Sequence, residues 1–434
     1  MEGERMKETY VPNILKYNDY EIEPVPENER HNLMDLSFVY IGFATSMAAF
    51  MIGLSLGLNF MMRDVVLVIF LGTIFLTMVD CISSVLAYRT GLTWALAARR
   101  IYGKKGALLP VLLTGIIYSG WQGFNLTWAP DFAAASWGWP FAPIVVVCGI
   151  VYASSAYIGF SGLKWISKIL MPIFAVTFIG LIVLSIKKIG WNSLNTYIPE
   201  ISATKSALAS AFIGQWLLAS ITGSFDINRF AKNIKSAVFA SVSGHIFRAM
   251  VVFSGYCCAV AFKTTAVSGI IEGYGIFWQV IAFVIIFLVM WTTADNSAYS
   301  AALSFSGTIR FLSKKSWVLI IMGFGTFMTI VGAIKYFVVW LNIIASVMPS
   351  LPGILAAETL IGPMMGLKNP LHEPERKVRY SPVLTWIVCA GIGYYLYAVA
   401  KVPFYPVWVF GISIIIDILF RLVLDKNKKT NDKK

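Results

Sequence analysis

The sequence predicts an all-α, polytopic membrane protein. Three observations carry that reading: 58% of the 434 residues are apolar and only 13% charged, the apolar runs are long, and basic residues concentrate in alternate loops. Soluble domains carry about a quarter charged residues, so a chain this poor in charge cannot be solvated on every side. Phe141 to Phe160 contains no charged residue and has the length of about 20 residues that a bilayer span requires. A helix buried in a soluble protein would present a polar face at helical spacing. This segment has none.

Apolar runs between charged or turn-rich breaks give about twelve spans. They centre roughly on 34–60, 65–87, 106–130, 141–160, 165–186, 206–225, 236–262, 276–303, 317–334, 337–361, 382–399 and 404–424. Pro140, Pro199 and the Pro370 to Pro374 stretch punctuate them. Residues 1–32 form a polar leading segment with no apolar core before Leu33, so no cleaved leader is expected. Residues 363–380 read as a loop, 381–425 as two additional helices and 426–434 as a basic tail.

An even number of spans puts both termini on one side, and charge says which. With the termini in the cytoplasm, inner loops hold 17 Lys and Arg, including Arg99, Arg100, Lys104, Lys105, Arg376 and Lys377, whereas outer loops hold 7. That asymmetry follows the positive-inside rule. The net charge of +13 therefore reads as topology facing anionic lipid rather than as a nucleic-acid surface. A multi-pass protein of the cell membrane, acting as a monomer, is expected.

Two spans differ from simple anchors. The first, Phe43 to Phe60, is rich in Gly, Ser and Ala, and the sixth, Gly214 to Phe230, carries Gly223 and several hydroxyls. If spans one to five repeat as six to ten, these two correspond, and interrupted helices at corresponding positions point to a transporter's midplane site. The plainer reading is that small residues let helices pack closely. The two readings stand level.

Polar residues inside spans mark pathways or internal pairs. The densest cluster, Trp291 to Ser300, places Thr292, Thr293, Asp295 and Asn296 within about one turn. Clustered oxygens suit a hard monovalent cation, sodium before proton, with carbonyls of an unwound first span as further ligands; the competing reading is threonine hydroxyls bonded to their own helix. In span three, Trp121 and Asn125 lie on one helix face and could stack on and hydrogen-bond a flat solute. Gln215 and Trp216 form a second such pair in span six. Asp226 and Arg229 are at pairing distance along a helix, and Arg248 calls for an internal partner such as Asp295 or Glu358. The five cysteines read as small buried hydrophobes. Three scattered histidines give no zinc motif, no nucleotide-binding loop is present, and neither an enzymatic activity nor a cofactor is expected.

These motifs resemble those of the nucleobase:cation symporter family, which includes cytosine permease and related purine, uracil, hydantoin, allantoin and thiamine carriers. The resemblance runs from Glu23 to Arg30, through Gly91 to Pro110, Gly120 to Asn125, Gly159 to Pro172, Asp226 to Val238 and Trp291 to Gly307, to Phe337 to Leu360. It implies a five-plus-five inverted repeat of the leucine-transporter type, a ten-helix core over 33–362 with halves at about 33–188 and 205–362, followed by the two further helices. By position it implies Trp121, Asn125, Gln215, Trp216, Leu217 and Asn296 as substrate-binding residues. It likewise implies Thr292 and Thr293, with carbonyls between Ala48 and Gly53, as the sodium ligands. The chain has Val289 and Ala294 where cytosine permeases carry asparagines, which points away from cytosine itself, because a site built on hydrogen bonds discriminates by its polar groups. The expected function is cation-coupled symport of a small nucleobase-like heterocycle. The alternatives are an amino-acid symporter of the same fold and a non-transporting membrane receptor.

Overall fold

An apolar run in a bilayer must satisfy its peptide groups within itself, and each long apolar run of this chain is helical. The computed structural model describes residues 19–199, 205–309 and 311–431, without the side chains of 205–212, 214–216, 218, 338 and 425–431. Helices α1 (Leu33–Ala44) and α2 (Met47–Asn59) form the first span, bent by 51° at a two-residue break. The second span is α3 (Met62–Thr90), and a short amphipathic helix α4 (Trp94–Tyr102) follows it. The third span is divided into α5 (Leu108–Asn125) and α6 (Trp128–Trp137), and α7 (Phe141–Ile158) and α8 (Phe160–Ile189) are the fourth and fifth. After the short α9 (Trp191–Asn195) come α10 (Lys205–Asn228) and α11 (Ile234–Phe262); the five-residue α12 (Val267–Ile271) then leads to α13 (Ile276–Thr308) and α14 (Lys314–Ile330). The tenth span is assembled from α15 (Phe337–Val347), α16 (Ser350–Ala356), a π-helical turn at Ala357–Ile361 and α17 (Gly362–Met364). Helices α18 (Tyr380–Ala398) and α19 (Tyr405–Asn431) end the chain.

Among the described residues, eight helices are long and apolar enough to cross a membrane, and the bent α1–α2 pair makes nine. Helices α5, α10 and α14 occupy the expected places of the third, sixth and ninth spans, which is consistent with twelve. Large apolar side chains such as Ile150 (69% exposed), Val176 (74%) and Phe277 (66%) cover the outside. Patches of this kind would be untenable in water and are the surface a bilayer requires.

The first-span break falls at Thr45 and Ser46, ahead of the 48–53 stretch the sequence suggested. Ser46 is the N-cap of α2, its side chain accepting from the Ala49 amide at 3.2 Å; serine is favoured there because it satisfies an otherwise orphaned donor. Gly53 does a different task. A Cβ on it would lie 2.0 Å from the Val252 carbonyl oxygen, and one on Gly255 would lie 2.2 Å from that of Phe50, so α2 and α11 cross backbone to backbone. The expected interruption of span six is absent: α10 runs unbroken from Lys205 to Asn228. Gly223 instead makes room for Phe43, whose ring a Cβ there would meet at 2.3 Å. Close packing, not unwinding, is what that glycine supplies.

Residues 19–31 strap one end of the bundle. Asp19 pairs with Lys314 and accepts from the Phe160 amide. The Arg229 guanidinium donates to the backbone carbonyls of Asp19 and Tyr20 at 2.6 and 2.8 Å, and to the Tyr299 hydroxyl. The sequence suggested an Asp226–Arg229 pair; Arg229 does reach Asp226, but through its backbone carbonyl at 3.2 Å, while the Asp226 carboxylate takes the Trp94 amide. The segment continues through Val25, whose amide meets the Gly91 carbonyl, to His31, stacked on Phe160 at 5.1 Å.

Two expectations follow. Gly53→Leu forces side-chain atoms into the Val252 backbone and should destabilise by about 1–3 kcal/mol or more, read as a lowered unfolding temperature in detergent. Burial, reinforced by Lys164, pushes the His31 imidazole down to about 4. A depressed histidine stabilises the strap in its neutral form above the ordinary value of about 6.5, and that contribution is lost as pH falls towards 4. The hydrogen-exchange protection factors of residues 25–32, taken relative to the intrinsic rate at each pH, should accordingly fall on acidification from pH 7 to pH 4.5.

Candidate functional site

The site is built outward from the first-span break. Thr45 ends α1, and its carbonyl is met from α13 by the Thr293 hydroxyl at 2.8 Å, which also lies 3.1 Å from its own-helix Val289 carbonyl. Thr292, one position earlier, bonds only back to Val289, at 3.0 Å. The two threonines are therefore not equivalent: Thr293 joins two helices, whereas Thr292 is turned onto its own. Ala48 is buried as the second residue of α2, and Gly53 faces α11 as described above.

Around Thr293 the rest of the polar run is held from three sides. Asp295 accepts from Ser155 of α7 at 2.7 Å, and Ser155 in turn accepts from the Trp291 indole. Asn296 donates to the Thr292 carbonyl at 2.7 Å and to Asp295 at 3.1 Å, leaving its Oδ1 buried without a hydrogen-bond partner among the described residues. Facing this run, α5 contributes Gln122, fully buried, whose Nε2 donates to the Ala294 carbonyl. Asn125 donates to Ser297 at 3.5 Å. The Gln122 Oε1 is a second buried acceptor with no hydrogen-bond partner among the described residues. Buried polar groups are nearly always paired, so each of these two amide oxygens is a spare acceptor that a donor from elsewhere would satisfy.

Trp121 lies beside Gln122, half-buried, edge-on to Phe124 (6.1 Å) and Phe337 (5.8 Å). Trp128 packs on the same Phe337 at 6.1 Å. Helices α5 and α10 are joined by a Tyr118–Thr222 hydroxyl contact, and Leu217 is fully buried on α10. The side chains of Gln215 and Trp216 lie outside the described residues, so the second aromatic–amide pair has no geometry to report. A cavity of about 230 Å³ sits just beyond the break, lined by Met47, Met51, Trp128 and Asp131 among others. Glu358, suggested as a partner of Arg248, binds Arg379 at 2.7 Å and Arg421 at 3.3 Å. Sequence reasoning passed over Gln122 and Thr45. Gln122 stands between Trp121 and Asn125, one helix position off the face those two define, and Thr45 acts through its backbone, which no side-chain pattern reveals.

Comparisons with known proteins give the family and the fold. Residues 24–365 match the family described as permease for cytosine/purines, uracil, thiamine, allantoin. The cytosine permease of Escherichia coli K12 is 26% identical over 346 residues, covering 79% of this chain and 81% of the permease. Among solved structures, Mhp1, a nucleobase-cation-symport-1 family transporter in a closed conformation with bromovinylhydantoin bound, aligns over 93% of this chain and 94% of its own, with TM-score 0.76 and 17% identity. A Na⁺-coupled sialic acid symporter aligns over 94% and 92%, with TM-score 0.71 and 12% identity. The leucine-transporter type of fold expected from the sequence is thus the fold found.

Gln122→Leu removes one of the orphaned acceptors at little change in volume. It also removes the donor to the Ala294 carbonyl and should lower the unfolding temperature in detergent by the equivalent of about 0.5–1.5 kcal/mol.

Proposed function

The chain belongs to the family of permeases for cytosine/purines, uracil, thiamine and allantoin, and from that premise we propose that it carries a nucleobase-like heterocycle into the cell by symport with a monovalent cation, sodium first. The observation that carries the solute half is the pair of orphaned oxygens, Gln122 Oε1 and Asn296 Oδ1. A planar ring bearing N–H groups has the donors such acceptors lack, and the half-buried indole of Trp121, next in the chain to Gln122, is the stacking partner we assign. An amino acid's carboxylate would find acceptors where it needs donors. Asn125, Gln215, Trp216 and Leu217 are the further residues we assign to the solute.

The cation half rests on Thr293 and Thr45. A carbonyl released at a helix break and a hydroxyl from a facing span are hard oxygen donors, the type that a sodium ion takes. Thr292 and the Ala48 to Gly53 stretch complete the region proposed for the ion. Coupling requires the cation to bind one conformation more tightly than the other. A ligand bridging α1 and α13 does this wherever those helices move relative to each other. In the orientation we assign from the basic loops, the strap of residues 19–31 closes the cytoplasmic end and both termini lie on the cytoplasmic side of the cell membrane. One chain holds every residue invoked.

The test is uptake of radiolabelled cytosine, uracil and hydantoin into proteoliposomes, with and without an inward sodium gradient. Trp121→Ala should abolish saturable uptake and weaken binding by at least about tenfold, since base–aromatic stacking contributes about 1–3 kcal/mol; binding at wild-type strength would remove the stacking role. Thr293→Val keeps the shape and deletes the hydroxyl. It should raise the sodium concentration for half-maximal uptake about tenfold, equivalent to ~1.4 kcal/mol, and wild-type uptake indifferent to sodium would rule the assignment out.

A further inference from the structure

Away from the solute site, four helices bring ionisable side chains together in the interior of the bundle. Asp80 of α3 is fully buried. Its carboxylate accepts from the Tyr40 hydroxyl of α1 at 2.7 Å and from the Ser224 hydroxyl of α10. His245 of α11, 2% exposed, sets its Nε2 3.2 Å from Asp80 Oδ2. One turn along the same helices lies a second polar layer. Asn228 of α10 donates to Ser84 of α3 at 2.6 Å and to Ser241 of α11 at 3.2 Å, and the two serines bond each other at 2.6 Å. The steps from Asp80 to Ser84, Ser224 to Asn228 and Ser241 to His245 are each four residues. The layers are therefore stacked about one helical pitch, ~5.4 Å, apart, and Asn228, the last residue of α10, carries the ladder to the end that the strap covers.

We propose that Asp80 and His245 form an intramembrane proton-binding site that exchanges with the strap side of the membrane along the Asn228–Ser84–Ser241 layer. A buried carboxylate is tolerated when its charge is compensated, and an imidazole is the side chain whose ordinary proton affinity lies near neutral pH. The proton enters on a His245 ring nitrogen, giving an imidazolium–carboxylate pair; it leaves by the same hydroxyl and amide groups, giving a neutral imidazole with Asp80 still held by Tyr40 and Ser224. No other bond is made or broken. Other titratable groups at this level are Cys81 beside Asp80, Tyr118 of α5, whose ring neighbours Phe43, and Arg248 one turn along α11. Asp226 on α10 is engaged by the Trp94 amide. Helices α2, α9 and α12 carry no titratable side chain, and the lysines of α8 sit at its two ends, Lys164 and Lys168 on Asp35. Because Tyr40 lies in the half-helix before the first-span break and Ser224 in the sixth span, proton occupancy alters the tie between the two helices that bound the solute site.

The decisive measurement needs no transport. With His31→Gln and His372→Gln, His245 is the sole histidine, and ¹⁵N-histidine labelling in lipid nanodiscs isolates its ring. The expected result is ring resonances that move reversibly between pH 5 and pH 9, with Asp80→Asn changing the proton affinity at least tenfold. If Asp80→Asn fails to fold, Tyr40→Phe and Ser224→Ala each remove one competing donor and should change it several-fold. Resonances that stay fixed across that range, or that ignore all three substitutions, overturn the proposal. A second arm rests on the transporter reading: radiolabelled cytosine uptake into proteoliposomes should depend on luminal pH, and His245→Gln should flatten that dependence. Absence of cytosine uptake by the unsubstituted protein would count against the proposed solute, while the resonance measurement still decides the proton site.

Discussion

A peptide carbonyl cannot be left bare in hydrocarbon; each unsatisfied group costs several kcal/mol, and that constraint organises the centre of this protein. The chain interrupts its first span at Thr45 and Ser46, and the two ends are treated differently. Ser46 caps the new helix with its own side chain. The Thr45 carbonyl is met by a hydroxyl from another span, Thr293. Once that contact exists, α13 is fixed against α1. The polar run Trp291 to Ser300 then falls between Ser155 of α7 and Gln122 of α5. The break creates a need for a partner, and the partner brings the remaining polar groups with it.

Buried charge is handled by the same logic on a larger scale. Asp19, Asp80 and Glu358 are each surrounded by donors drawn from elements distant in sequence. Removing one partner of such a set leaves an uncompensated buried charge, which is far more damaging than replacing the whole set by apolar groups. The clusters therefore act as ties between particular helices. The strap is bound to α8, α14, the end of α3 and the turn after α10, whereas the Asp80 cluster binds α1, α3, α10 and α11 to one another. A conformational change that opens the strap end must break the first kind of tie and can leave the second intact.

The architecture was legible because the length of an uncharged apolar run has few alternative explanations. The position of functional detail was less so. Gly, Ser and Ala in span one announced an irregularity, but Ser46 as a helix cap looks in sequence like one more small residue, and the break was placed several residues late. The same composition in span six announced an irregularity that does not exist, since Gly223 serves only to admit the Phe43 ring. Periodicity cannot tell a glycine that unwinds a helix from one that lets a neighbour approach. Thr293 and Asn296 stood out because hydroxyls and amides are expensive in an apolar run. Gln122, equally polar, does not, because it lies off the helix face that Trp121 and Asn125 share. Arg229 shows a further limit: its spacing to Asp226 reads as a local pair, yet two of its four hydrogen bonds go to carbonyls about 210 residues earlier in the chain.

The ion cluster at the π-helical turn has a consequence for how the molecule is made. Glu358 sits in the tenth span, and Arg421, which donates to the Ala357 and Lys368 carbonyls as well as pairing with that carboxylate, lies in the last helix. Synthesis runs from the amino terminus, so the acid is delivered to the insertion machinery more than 60 residues before this guanidinium is translated. The acid meets Arg379 first and gains its second guanidinium only when α19 arrives. The cluster is thereby completed from the carboxyl end, and a chain that stops short of α19 leaves the Ala357 and Lys368 carbonyls without this donor.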